Sequence, residues 1–284
     1  MIPGAKPIVG LFVAVVLAMT TTGVFAAFES EFPRADGQSV PVKVYQSSSE
    51  PCPPIMVISH SIIGSMNSLS NIAEAAEQAG YRVIVMDHAE SGMEVFREIA
   101  EGENPRGNFS QAINSEDRHR KRFLDLDAVW KRASSSCELP FTVLVGHSMG
   151  AQTTMMEAGA VARIGRMGAD RFDAYVALSP QGVGSQFEEN AWLNIKKPVL
   201  MITGTRDNGQ DGSYENRLTA FEGLPPGSKR IVVIDEATDR DISGHGSGNV
   251  RNLIPEVVME FLDNVRNDRM TQPKLHTGVT VSDK

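Results

Sequence analysis

Short uninterrupted apolar runs alternate along this chain with longer stretches in which apolar positions recur every three or four residues. The runs Ile55–Ser59, Tyr81–Met86, Phe141–Val145, Ala174–Leu178 and Pro198–Gly204 predict strands buried on both faces, as in a parallel sheet, and Lys229–Asp235 predicts the last of the set. Helical spacing places helices at Ser68–Gln78, Glu116–Ala133, Gln152–Arg163, Tyr214–Glu222 and Ile254–Val265. Ahead of these, Phe28–Pro33 and Val40–Gln46 alternate as two further strands around the turn Ala35-Asp36-Gly37-Gln38. Residues 89–115, interrupted by Gly92, Gly102, Pro105 and Gly107, show no clear period and read as a long irregular connection. A connection of that length at a strand end commonly shapes a site. In the helix that follows, Phe123, Leu126, Val129 and Trp130 form the buried stripe, and His119 reads as a solvated surface residue. Strands alternating with helices predict an α/β fold, a mostly parallel central sheet covered on both faces. The domain is expected over 27–270, with a polar, disordered tail over 271–284 that includes His276.

The N-terminus has a different character. Lys6 precedes the apolar run Ile8–Met19, which is short for a membrane span, and Val24-Phe25-Ala26 puts small residues before Ala27. Residues 1–26 therefore read as a signal peptide and the protein as exported, periplasmic or secreted; the competing reading is an uncleaved membrane anchor. A net charge of −8 with no Lys/Arg-rich block argues against nucleic acid or an anionic membrane as partner. The composition, 41% hydrophobic and 22% charged, is that of an ordinary globular chain.

Candidate chemistry concentrates where the strand Phe141–Val145 gives way to a helix through Gly146-His147-Ser148-Met149-Gly150. This is a G-x-S-x-G nucleophile elbow. The two glycines let strand and helix crowd the turn, Ser148 takes its strained apex, and the helix behind points amides and its positive end towards the serine.

Several segments together resemble the α/β-hydrolases across essentially all of residues 28–266: Val57-Ile58-Ser59-His60 with Gly64-Ser65, Tyr81 to His88, the elbow, Leu178-Ser179-Pro180, and Pro198 to Asp207. More narrowly, the chain is similar to predicted dienelactone hydrolases and platelet-activating-factor-acetylhydrolase-like esterases. The resemblance implies a serine hydrolase acting on a small-molecule carboxylic ester, with no metal or organic cofactor. A true dienelactone hydrolase would carry cysteine at the elbow, so that name marks kinship rather than chemistry. The family order of serine, acid, histidine makes Asp207, after Gly204-Thr205-Arg206, the candidate acid, with Asp211 as runner-up. The base is expected just past the last strand, yet that slot in Glu236-Ala237-Thr238-Asp239-Arg240-Asp241 holds Asp239 or Arg240. His245, in Ser243-Gly244-His245-Gly246-Ser247-Gly248, is the candidate left in that loop. His60 and His147 belong to turn motifs, and His88 ends a strand out of chain order. The oxyanion amides fall by position on Met149 and Ile62, although the turn reads His60-Ser61-Ile62-Ile63-Gly64 where the family favours glycines. Ser61 and Ile63 restrict that backbone and would be able to turn the Ile62 amide away.

The same fold places the strands opening at Ile55 and Phe141 side by side, which would bring Cys52 and Cys137 to one end of the sheet. A bridge between them suits an exported chain, and closing a loop of that length is worth on the order of 4 kcal/mol. The departures at 239, 61 and 63 leave a second reading open: an α/β-hydrolase fold without catalysis, used for binding or structure.

Overall fold

The computed structural model describes residues 27–284 apart from 47, 136, 247, 272 and 275; the signal-peptide reading of 1–26 lies outside the described residues. One nine-stranded sheet runs through the molecule in the order β1-β2-β4-β3-β5-β6-β7-β8-β9. Its parallel body is β3 (Ile55–Ser59), β4 (Arg82–Met86), β5 (Thr142–His147), β6 (Ala174–Leu178), β7 (Val199–Gly204) and β8 (Lys229–Ile234). β1 (Phe28–Pro33) and β2 (Ser39–Tyr45) add an antiparallel hairpin at one edge, and β9 (Val279–Asp283) an antiparallel strand at the other.

Strand periodicity divides the core in two. Ile55 and Val57 of β3 and Leu144 of β5 join the apolar layer under α4 (Glu116–Ser134), with Leu126, Val129, Phe172 and Trp192. Met56 and Ile58, with Val143 and Val145, face the opposite way onto α1 (Ser70–Gln78) and α8 (Asn249–Arg266), meeting Ile72, Val258 and Phe261. Each buried strand thus feeds both layers, which is why it reads as an unbroken apolar run.

Winding reverses at β3, with β4 on one side and β5 on the other. A crevice opens outside the carboxyl ends of the strands at such a switch point, the usual ligand position in an open α/β sheet. The turn after β3 and the elbow after β5 both lie there.

Three expectations are corrected. Residues 89–115 are not irregular: they fold as α2 (Met93–Glu101) and α3 (Pro105–Ile113). Glycine and proline mark the ends of these helices; Asn104 caps α3 by accepting the Gly107 amide, and Pro105 stands at the first turn. The tail is not wholly without structure, because the β-branched residues of Val279-Thr280-Val281 pair with β8. His119 is fully buried, with Nε2 3.0 Å from the Ile113 carbonyl. The helix after the elbow, α5 (Met149–Glu157), starts immediately after Ser148 and stops before Gly159, whose φ of 118° ends it. α6 (Tyr214–Glu222) and a short α7 (Asp239–Ile242) complete the crevice side.

Cys52 and Cys137 are joined by a disulfide, their Cα atoms 6.0 Å apart. It lies at the amino end of the β3–β5 pair, opposite the crevice. Among the described residues no helix is long and apolar enough to cross a membrane.

Candidate active site

Ser148 sits between β5 and α5 with φ 54° and ψ −113°, a conformation costly for a residue with a Cβ. Neighbouring structure enforces it. A Cβ on Gly146 would overlap the Gly150 carbonyl and Thr154, and one on Gly150 would overlap the Ser59 carbonyl. The Ser148 amide is tied to the Leu178 carbonyl at 3.0 Å, while its hydroxyl makes no hydrogen bond among the described residues.

The hydroxyl looks into a cavity of about 500 Å³. Phe96, Ile99, Phe109 and Ile113 from α2 and α3 form its apolar wall; Gln181, Arg217 and Asp239 stand among the polar groups opposite. Residues 89–115 therefore shape the pocket, but as helices. A second cavity of about 510 Å³, lined by Ser61, Ile63, Met93, His147 and His245, meets the first at Asp239.

The amides of Met149 and Ile62 donate no hydrogen bond among the described residues, and both residues are buried in one apolar cluster with Ile99 and Ile113. Ser61, Ile62 and Ile63 all avoid positive φ. The turn therefore does not need the glycines whose absence the sequence made conspicuous.

Asp207 follows β7 and is fully buried. Its Oδ2 accepts from Thr203 Oγ1 at 2.9 Å and its Oδ1 from Arg217 Nη2 at 2.8 Å. Burial pushes this carboxyl up; Arg217 opposes the shift and the Asp239 charge adds to it. Arg217 also donates to the Asp207, Ser179 and Pro180 carbonyls at 2.7–2.8 Å, so its guanidinium fastens the loops after β6 and β7 together. Sequence reading missed it: an arginine inside a helix looks like a solvated charge, and nothing in the pattern marks it as buried. Asp211 accepts from the Ser185 amide and hydroxyl at 3.2 and 3.0 Å, a brace between two loops.

His245 is exposed, with Nδ1 3.1 Å from Ser243 Oγ. It makes no hydrogen bond to Ser148 or Asp207 among the described residues. Asp239 opens α7, and its Oδ1 lies 3.0 Å from His147 Nε2. Partial burial pushes the Asp239 carboxyl up, but His147, Arg217 and Ser179 outweigh it and hold the group down at about 2. The structure therefore brings Ser148, Asp239 and Arg217 to one cavity and keeps His245 in the next.

Under the crevice, His88, Glu90 and Asp125 could offer a cation three ligand atoms within 4.8 Å of one another. Two guanidiniums already serve them: Arg34 Nη1 is 2.9 Å from Asp125 and Arg122 Nε is 3.2 Å from Glu90. Two carboxylates balanced by two arginines fit a neutral buried network better than a metal site.

A mostly parallel sheet with an elbow serine at the switch point is the α/β-hydrolase fold. Solved structures agree on the architecture. A provisional dienelactone hydrolase from Klebsiella pneumoniae subsp. pneumoniae superimposes with a TM-score of 0.64 at 17% identity, over 84% of this chain and 98% of its own. Est1E from Butyrivibrio proteoclasticus gives 0.59 at 16% identity, over 84% and 98%. No family model matches the chain, and no curated protein matches it.

Proposed function

We propose that this chain is an exported serine hydrolase of small carboxylic esters, with Ser148 as nucleophile. The observation that carries the reading is the pair of unbonded amides, that of Met149 directly after the strained serine and that of Ile62 in the same buried cluster as Met149. Buried N–H groups without partners are costly and rare. A pair of them next to a nucleophile suits a site that receives a developing oxyanion. The fold shared with a provisional dienelactone hydrolase, and with Est1E, is consistent with this reading. The disulfide suits an oxidising compartment and so favours export.

In the proposed reaction Ser148 Oγ attacks the ester carbonyl and its proton passes to a base. The carbonyl oxygen takes the negative charge against the two amides. Collapse expels the alcohol, which takes the proton from the base, and water then releases the acid from the acyl-serine by the same steps. His245 is the proposed base, carried to Ser148 by movement of its glycine-flanked loop, with Asp207 as the acid that orients it. Catalytic hydrogen bonds commonly tighten only around substrate. The apolar wall of Phe96, Ile99, Phe109 and Ile113 suits the acyl group.

One observation favours the second reading, a fold that binds without turning over. The position beside Asp207 and Ser148 holds Asp239, an ionised carboxylate too weak in basicity to take a serine proton at neutral pH. Short-chain nitrophenyl esters and a fluorophosphonate probe separate the two. Ser148-dependent labelling and hydrolysis that fall in His245→Ala support the hydrolase. Pure protein that neither labels nor hydrolyses supports the binding fold.

A further inference from the structure

The turn His60–Gly64 presents the Ile62 amide without using positive φ at Ser61, Ile62 or Ile63. Something else must aim that amide. The Ser61 carbonyl and the Ile62 N–H belong to one planar trans peptide, so whatever grips the oxygen points the N–H the opposite way.

The grip comes from behind. His60 Nδ1 lies 2.7 Å from the Ser61 oxygen, and the Gly64 amide closes the turn on the same atom at 3.0 Å. Arg122, fully buried on α4, reaches it with Nη2 at 3.4 Å and holds the preceding His60 carbonyl with Nη1 at 2.7 Å. The two Nη groups also donate to Ser91 Oγ at 2.6 Å and Ser59 Oγ at 3.3 Å, while Nε makes no hydrogen bond and meets Glu90 as a charge pair at 3.2 Å. The Ser61 carbonyl can only accept, so the contact at His60 Nδ1 needs the proton there, although Asp87 Oδ1 also lies 3.4 Å from Nε2. That Nε2 receives the His88 amide at 3.1 Å, which fits the proton on Nδ1. Arginine suits the other place because one planar fork spans successive carbonyls in a fixed geometry.

We propose that His60 and Arg122 are positioning residues for the oxyanion site: they hold the Ser61–Ile62 peptide with its N–H turned towards Ser148. The proposal rests on the hydrolase reading for its catalytic consequence, but not for its structural one. His60→Leu removes the Nδ1 donor. The double variant Arg122→Met with Glu90→Gln removes the fork and leaves no buried ion alone. His60→Asn keeps an N–H donor near the Nδ1 position.

Crystal structures of the variants give the orientation of the Ser61–Ile62 peptide, and nitrophenyl-ester hydrolysis gives kcat and KM. In His60→Leu and in the double variant the peptide is expected to rotate and kcat to fall about 10²-fold with KM unchanged, the usual cost of one oxyanion donor. His60→Asn is expected to keep both the peptide and most of the rate. A peptide that stays in place in His60→Leu and the double variant overturns the proposal, whether or not the chain turns over ester. A wild type without turnover removes the hydrolase reading instead, and peptide orientation alone then decides this inference. If either replacement prevents folding, Arg122→Lys, which keeps the charge but loses the fork, is judged on the same two outcomes.

Discussion

Asp239 Oδ1 lies 3.0 Å from His147 Nε2, in the wall where the Ser148 cavity meets its neighbour. The carboxylate stands close enough to Asp207 to raise that group's proton affinity, and it shares the serine's cavity. An imidazole in this place would have a carboxylate behind it and the nucleophile before it. In a His245→Ala background, Asp239→His is therefore expected to raise Ser148-dependent ester hydrolysis by about 10²-fold, the low end of what a positioned base contributes. Steady-state rates of Asp239→His in that background, with and without Ser148→Ala, check this; an unchanged rate would mean that Arg217 keeps Asp207 from serving an imidazole.

The elbow tolerates no added volume. Gly146→Ala would force a methyl group into the Gly150 carbonyl, and Gly150→Ala one into the Ser59 carbonyl, both of them backbone atoms that cannot swing aside. Each variant is expected to lose more than about 3 kcal/mol of stability, as backbone overpacking in a core does. Urea unfolding measures it, and a loss within 1 kcal/mol of wild type would show that the turn can relax.

His119 gives a pH signature. Burial, with Arg122 adding to it, pushes its pKa from 6.5 down to about 4. The folded chain thus binds fewer protons than the unfolded chain between those values, and stability is lost as pH falls through that window. The span corresponds to about 3 kcal/mol at most. Comparing wild type with His119→Gln at pH 7 and pH 4.5 isolates the effect: the variant is expected to lose less stability on acidification, and parallel losses would refute the assignment.

The disulfide acts away from the crevice. Replacing Cys52 and Cys137 by serine should cost on the order of 4 kcal/mol through the freed unfolded chain. Hydrolysis per folded molecule should stay the same, because the bridge sits at the opposite end of β3 and β5. Thermal melts beside rate measurements would expose any coupling between the two.

Much of this architecture was legible in the chain. Ile55–Ser59 and Phe141–Val145 advertise a doubly covered sheet because alternate residues must satisfy two cores at once. Gly146 and Gly150 advertise the elbow because no other side chain fits against those carbonyls. What was hidden depended on contacts distant in sequence. The helices α2 and α3 are short and broken by glycine and proline, so local spacing was too weak to show them. His119 and Arg217 look like surface groups on their own helices, and become interior ones only when the Ile113 carbonyl and Asp207 arrive from elsewhere. The missing glycines at 61 and 63 looked like a defect because the sequence could not show the hydrogen bonds, from His60 and Arg122, that hold the turn.

Strand β9 bears on how this molecule behaves among its own copies. Without it, the apolar strand β8 would be the sheet edge; β9 takes that place as a five-residue strand ending in Ser282 and Asp283, the short, charged kind of edge that resists pairing with other chains. Arg230 clasps Asp283 at 2.7 Å, and the Lys284 ammonium sits over the carbonyls that end α6, so the seam is fastened at its margin. Colloidal behaviour therefore depends on a few residues remote from the crevice, and a substitution at Arg230 or Asp283 would act on that seam rather than on the chemistry.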